Sequence, residues 1–129
     1  MATPNLLGAP GVTGSAASLT QKLIVAAELT TTAETTVYTV PTNGAVKLAQ
    51  ASLCNTSGGA VNVSVSLVLS GGTAGVGNRV LSAYPLAAGD TLPLADFLGG
   101  HMLGQGDFIS VLASVATAVT IVVSAAVVG

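Results

Sequence analysis

Few side chains in this 129-residue chain could carry acid–base, metal or nucleophilic chemistry. They are one histidine (His101), five carboxylates (Glu28, Glu34, Asp90, Asp96 and Asp107), three basic residues and one cysteine, Cys54. The densest group is Asp90, Asp96, His101 and Asp107, all in one stretch. A metal centre would need several of these at recurring ligand spacing, and no H-E-x-x-H, paired cysteines or calcium-loop pattern is present. No G-x-S-x-G elbow accompanies His101, so a nucleophile with a histidine base is not indicated. Asp90 and Asp107 each follow a glycine, where aspartate commonly forms turns, and Asp96 opens an irregular segment. The expectation is no catalytic, cofactor-binding or metal residue, and no enzyme.

Three other features invite a chemical interpretation. The loop Gly71-Gly72-Thr73-Ala74-Gly75-Val76-Gly77-Asn78 is rich in glycine but lacks both the dinucleotide fingerprint and a Lys-Ser/Thr pair. No helical pattern follows it to hold an anion, so a flexible hairpin loop is expected. Cys54 has no partner for a disulfide and is expected to behave as a small buried hydrophobe. Asn55-Thr56-Ser57 and Asn62-Val63-Ser64 match the glycosylation pattern, which carries weight only with a secretion signal. No basic region followed by an apolar run opens the chain, so none is expected. Tyr38, Tyr84, Phe97 and Phe108 are too scattered for a sugar-binding platform, and core packing is their expected role.

The composition narrows the partners. Half of the residues are hydrophobic, 6% are charged and the net charge is −2. Lys22, Lys47 and Arg79 are too few to neutralise phosphates, which excludes nucleic acid as an expected partner. A surface this poor in charge is expected to be covered in part by other chains, since soluble monomers carry far more. The segment from Val111 to Gly129 is uncharged and long enough to span a bilayer, but its recurring Ser and Thr, its β-branched run and its lack of a basic or aromatic flank favour a strand over a membrane anchor.

The elements that would position these residues are strands. From Val61 to Ser70 the chain alternates: Val61, Val63, Val65, Leu67 and Leu69 face one way, while Asn62, Ser64, Ser66 and Ser70 face the other, with Val68 as the exception. A period of two over this length predicts a half-buried strand. Its Asn/Ser face, small and uncharged, is a candidate contact surface. Further strands are predicted over 22–29 (with a helix as the alternative for 21–29), 35–40, 45–54, 79–84, 91–94, 107–114 and 118–128, separated by turns such as Pro41-Thr42-Asn43-Gly44. The last is apolar on both faces, which predicts cover on both sides. The fold class expected is therefore all-β: an antiparallel β-sandwich, jelly-roll-like, of about eight strands over residues 21–129. Residues 1–20, rich in Gly, Ala, Pro, Ser and Thr, are expected to form an extended N-terminal arm, either a disordered tail or a strap that orders on a neighbouring subunit.

Four segments carry a resemblance: Tyr38-Thr39-Val40-Pro41 with its glycine turn, Leu53-Cys54-Asn55-Thr56-Ser57-Gly58-Gly59 leading into alternating Val and Ser, Pro85-Leu86-Ala87-Ala88-Gly89-Asp90-Thr91-Leu92, and Gly106-Asp107-Phe108-Ile109-Ser110. Together they resemble small tailed-bacteriophage virion proteins, in which a β-sandwich decorates the capsid or forms part of the tail or a fibre. The resemblance implies a non-enzymatic structural protein and does not distinguish head from tail; the leading expectation is a capsid decoration protein, made in the host cytoplasm and located on the virion capsid surface. Its implied partners are itself, as a homo-oligomer expected to be a trimer, and the major capsid protein. A tail, neck or fibre component is the alternative, and a lectin-like module with a glycan contact is a third. Neither nucleic acid nor membrane is implied.

Overall fold

The alternation of apolar and polar residues builds nine strands in the computed structural model, which describes residues 19–128. In chain order they are β1 (Leu19–Glu28), β2 (Thr35–Thr39), β3 (Ala45–Asn55), β4 (Val61–Val68), β5 (Arg79–Leu86), β6 (Thr91–Pro93), β7 (Met102–Leu103), β8 (Phe108–Ala113) and β9 (Val119–Val128). A 3-10 turn at Val76–Asn78 and a one-turn helix, α1 (Ala95–Leu98), are the other regular elements. The chain is all-β, and Gln21–Glu28 takes the strand alternative rather than the helical one, with Leu29 just beyond the strand. The expected arm over 1–20 lies outside the described residues except for Leu19 and Thr20, which open β1.

Two antiparallel sheets stack face to face. One has the order β1-β9-β3-β6, with β7 also paired to β3; the other has the order β2-β8-β4-β5. Setting the short β7 aside, the first strand pairs with the last, the second with the next to last, β3 with β6 and β4 with β5. A long hairpin rolled up on itself gives this nesting, which is jelly-roll connectivity. The inner faces supply Val25, Leu53, Val65, Ile109, Val111 and Ile121, all nearly fully buried. Each comes from the apolar side of an alternating strand, so the period of two becomes the core directly.

Antiparallel nesting sends the loops to two opposite ends. The connections 29–34, 56–60, 87–90 and 114–118 form the upper end. Those at 40–44, 69–78 and 104–107 form the lower end, where β1 begins and β9 finishes. At the lower end Asn43 takes φ 63, the left-handed position expected of that turn, and its amide donates to Gln105 Oε1 at 2.8 Å. The segment from Val111 to Val128 is not a single apolar rod. It completes β8, turns through 114–118 and returns as the central strand β9 of the other sheet. Among the described residues no helix is long and apolar enough to cross a membrane.

Candidate interaction surfaces

The carboxylates and His101 do not converge. Asp90 sits in the upper-end turn, with its amide bonded to Ala87 O, and Asp107 sits at the lower end. Asp107 instead ties two lower loops together: Oδ1 accepts from the Ser70 amide at 2.9 Å and Oδ2 from the Gly104 amide at 2.8 Å. Among the described residues no group of three or more His, Cys, Asp or Glu could hold a metal ion. Cys54 is half-buried rather than buried, on β3 between Thr91 and Thr120 of the neighbouring strands. Burial pushes the Tyr38 phenol above its ordinary value, as expected of a ring packed against the core.

The four segments that carry the resemblance meet in two pairs. At the upper end Asn55 lies wholly buried. Its side-chain amide donates to Gly59 O at 2.8 Å and Leu86 O at 2.9 Å, and its Oδ1 accepts from the Ser57 amide and hydroxyl. Its backbone also exchanges hydrogen bonds with the 87–90 turn, through Asp90 O and the Gly89 amide. Asn55 thus joins Leu53–Gly59 to Pro85–Leu92, and its buried amide is not available to a glycan. At the lower end the Val40 amide donates to Asp107 O, and the Gly106 amide to Val40 O, joining Tyr38–Pro41 to Gly106–Ser110. The role of Asn55 was not evident in the sequence, where it read as one residue of a polar turn.

The Asn/Ser face of β4 is not the open contact surface expected from its composition. Ser66 and Ser110, opposite one another on β4 and β8, are buried, and so is Ser64. Arg79 pairs with Glu34 across this face and donates to Ser66 Oγ at 2.7 Å, while Ser110 donates to Glu34 at 2.7 Å. Ser64 Oγ accepts from the amide of Ala83, a residue held at φ 46 in a bulge of β5. The chain's own polar side chains therefore close the middle of this face, and of β4 itself only Asn62 is left exposed. Val68, the exception to the alternation, is buried where Gly72 of the 69–78 loop approaches it.

Two surfaces remain open. The first is the lower end. Among the described residues the four most exposed large apolar side chains are Val76 (90%), Met102 (77%), Leu69 (76%) and Leu19 (66%), and all lie there. The loop bearing Leu69 and Val76, expected from its glycines to be a flexible hairpin, is tied by several hydrogen bonds. Internal bonds hold it: Gly72 amide to Leu69 O, Gly75 amide to Asn78 Oδ1 and Asn78 Nδ2 to Thr73 O. The Ser70–Asp107 bond anchors it to the body. Beside it a cleft runs from Leu67 and Leu69 past Arg79 to His101. Exposed apolar side chains around a cleft make this end a candidate docking surface.

The second open surface is the outer face of the β1-β9-β3-β6 sheet. The register lays it out in rows across β1, β9 and β3: Leu19–Val128–Ala45, Gln21–Ala126–Lys47, Leu23–Ser124–Gln50, Ala26–Val122–Ser52 and Glu28–Thr120–Cys54. The inner face of β9 is covered by the opposite sheet, while its outward residues are half-buried by their neighbours alone. Its two-sided apolar character thus has a covering layer on one side among the described residues. Shallow clefts line this face, one of about 400 Å³ between β1 and β3 over Ser124 and Ala126. Comparison with protein-family models, with curated proteins and with solved structures returns no match.

Proposed function

We propose that this protein is a non-enzymatic capsid decoration protein of a tailed bacteriophage, seated on the shell of the major capsid protein as a homo-oligomer. The observation that carries the proposal is the concentration of the four most exposed large apolar side chains at one end of a jelly roll that is poor in charge. Water-exposed leucine, valine and methionine in one region favour burial against another protein, at roughly 1.5–3 kcal/mol per large side chain covered. The 69–78 loop presents Leu69 and Val76 and makes the lower end the shell-facing surface, with Leu19 and Met102 at the rim where this end meets the outer sheet face. No bond is made or broken in this role, and none of Asp90, Asp96, His101 or Asp107 is needed for it.

The test is co-sedimentation of the purified chain with empty shells assembled from the major capsid protein of the same genome. Saturable binding at a stoichiometry of hundreds of copies per shell is the expected result. Binding only to tails, or a few copies per particle, would move the protein to a tail, neck or fibre role.

A further inference from the structure

We infer that the outer face of the β1-β9-β3-β6 sheet is the contact between two copies of this chain, paired about a two-fold axis that crosses β9 between Val122 and Ser124. This deepens the homo-oligomer part of the proposed function, and rests on that proposal for its biological meaning. It is measured on the purified chain without shells, so the two can fail separately.

The face is larger than most lattice contacts and smaller than a standard interface. Strands about 4.8 Å apart and rising about 3.3 Å per residue give the three long strands β1, β9 and β3, with the short β6 and β7 at their edge, a plan area of roughly 500 Å². A standard interface buries about 800 Å² per partner, and crystal-packing contacts mostly bury less than half of that. The outward residues of β9 (Thr120, Val122, Ser124, Ala126 and Val128) are small or β-branched and uncharged. Two such faces can approach to the roughly 10 Å spacing of stacked sheets without burying an unpaired ion.

Charge sets the register. Among the residues that form the rows, only two are charged: Glu28 on β1 in the top row, and Lys47 on β3 three rows lower. They occupy diagonally opposite positions, and their midpoint falls on β9 between Val122 and Ser124. A two-fold axis through that point, lying in the plane of the contact and perpendicular to the diagonal, brings Glu28 of each copy against Lys47 of the other. The same operation sets the apolar centre of one face on that of the other. An isologous contact requires this self-complementarity, in which residue i meets j and j meets i. No other two-fold axis in the plane of the contact brings both Glu28–Lys47 pairs together. Edge-to-edge growth through β1 is disfavoured by Lys22 and by the bulge between Leu23 and Val25, both features that blunt an exposed strand edge. The inferred arrangement is thus a two-fold pair at this face, which differs from the trimer expected for the homo-oligomer.

The test is sedimentation equilibrium of the full chain and of three kinds of variant, with circular dichroism to confirm that each remains folded. The wild type should be a dimer. Val122→Arg places two like charges at the axis and should give a folded monomer. Glu28→Lys and Lys47→Glu should each weaken the dimer by about tenfold or more, and the double swap should restore it to within about threefold of the wild type. A wild type that stays monomeric, a trimer, or a dimer indifferent to Val122→Arg would overturn the inference. So would a double swap no stronger than the single variants. A monomer that pairs only after residues 1–18 are removed would assign the face to the chain's own N-terminal segment. A monomer whose shell binding is lost in Val122→Arg would assign it to the shell. Either result also overturns the two-fold pair.

Discussion

Replacing Asn55 with alanine removes the side chain that joins Leu53–Gly59 to Pro85–Leu92 at the upper end. Four hydrogen bonds go with it: two donated to Gly59 O and Leu86 O, and two accepted from Ser57. Each is worth about 0.5–1.5 kcal/mol net, and leaving the carbonyl of buried Leu86 unpaired costs about 1–3 kcal/mol. Because Ser57 and Gly59 lie nearer the surface, water replaces part of the loss there. The expected destabilisation is about 3–5 kcal/mol, a large share of the roughly 5–15 kcal/mol that holds a domain folded. In urea at an m-value of about 1.5–2 kcal/mol/M this lowers the midpoint by roughly 2 M with little change in slope. Asn55→Asp separates hydrogen bonding from shape. Its carboxylate would face two carbonyl oxygens in a buried site, which raises its pKa above the unfolded value. A carboxyl raised in this way favours the folded state when protonated, so the Asp variant should gain stability relative to wild type as pH falls and lose it as pH rises through the raised pKa. A cost under about 1 kcal/mol for Asn55→Ala, or an Asp variant with the pH dependence of wild type, would refute this role for Asn55.

Arg79→Met should destabilise by about 1–3 kcal/mol, because it leaves Glu34 and Ser66 short of a partner in a mostly closed site. Pairing it with Glu34→Gln should recover part of that loss, and a double-mutant cycle in urea measures the coupling. Ala83→Gly should stabilise by about 0.5–1 kcal/mol, since residue 83 is held at φ 46 where glycine is unstrained. A thermal midpoint unchanged or lowered would count against that. Gly106→Ala should destabilise by about 2–4 kcal/mol, through φ 83 and through collision of a new Cβ with the Ser70 side chain. Adding Ser70→Gly should return the collision part and leave the backbone part, as read from the two denaturation midpoints.

The strands were legible in the sequence because alternation and sandwich burial are the same fact seen twice. Val61, Val63 and Val65 alternate in the chain and line the core in the structure. What a strand's polar face meets is set by residues far away in the chain, and local pattern does not contain it. Ser64 and Ser66 look like solvent-facing positions, yet Arg79 and Ala83 of β5 occupy the space outside them, and Glu34 completes the cluster from 76 positions before Ser110. The bulges in β1 and β5 were invisible for a related reason, being fixed by pairing registers rather than by Gly or Pro signals, whereas the change of face from Val46 and Leu48 to Leu53 pointed to the bulge found in β3. The glycines of 71–78 suggested a floppy loop, but the bonds of Asn78 and Asp107 that hold it depend on the folded arrangement. The absence of a recognisable catalytic motif was read from the sequence, whereas the apolar lower end emerged only when topology brought Leu19, Leu69, Val76 and Met102 to one pole.

The central claim is that this pole seats the protein on a phage shell. Its most direct measurement is the affinity for shells of the wild type, of Leu69→Asp with Val76→Asp, and of Val115→Asp at the upper end as a control. Both sites are exposed, so all three proteins should fold with similar thermal midpoints. The account predicts that the lower-end pair loses binding by about a hundredfold or more, from the desolvation penalty of two charges placed in an apolar contact, while Val115→Asp binds like wild type. Equal binding by all three proteins, or loss confined to Val115→Asp, would contradict it.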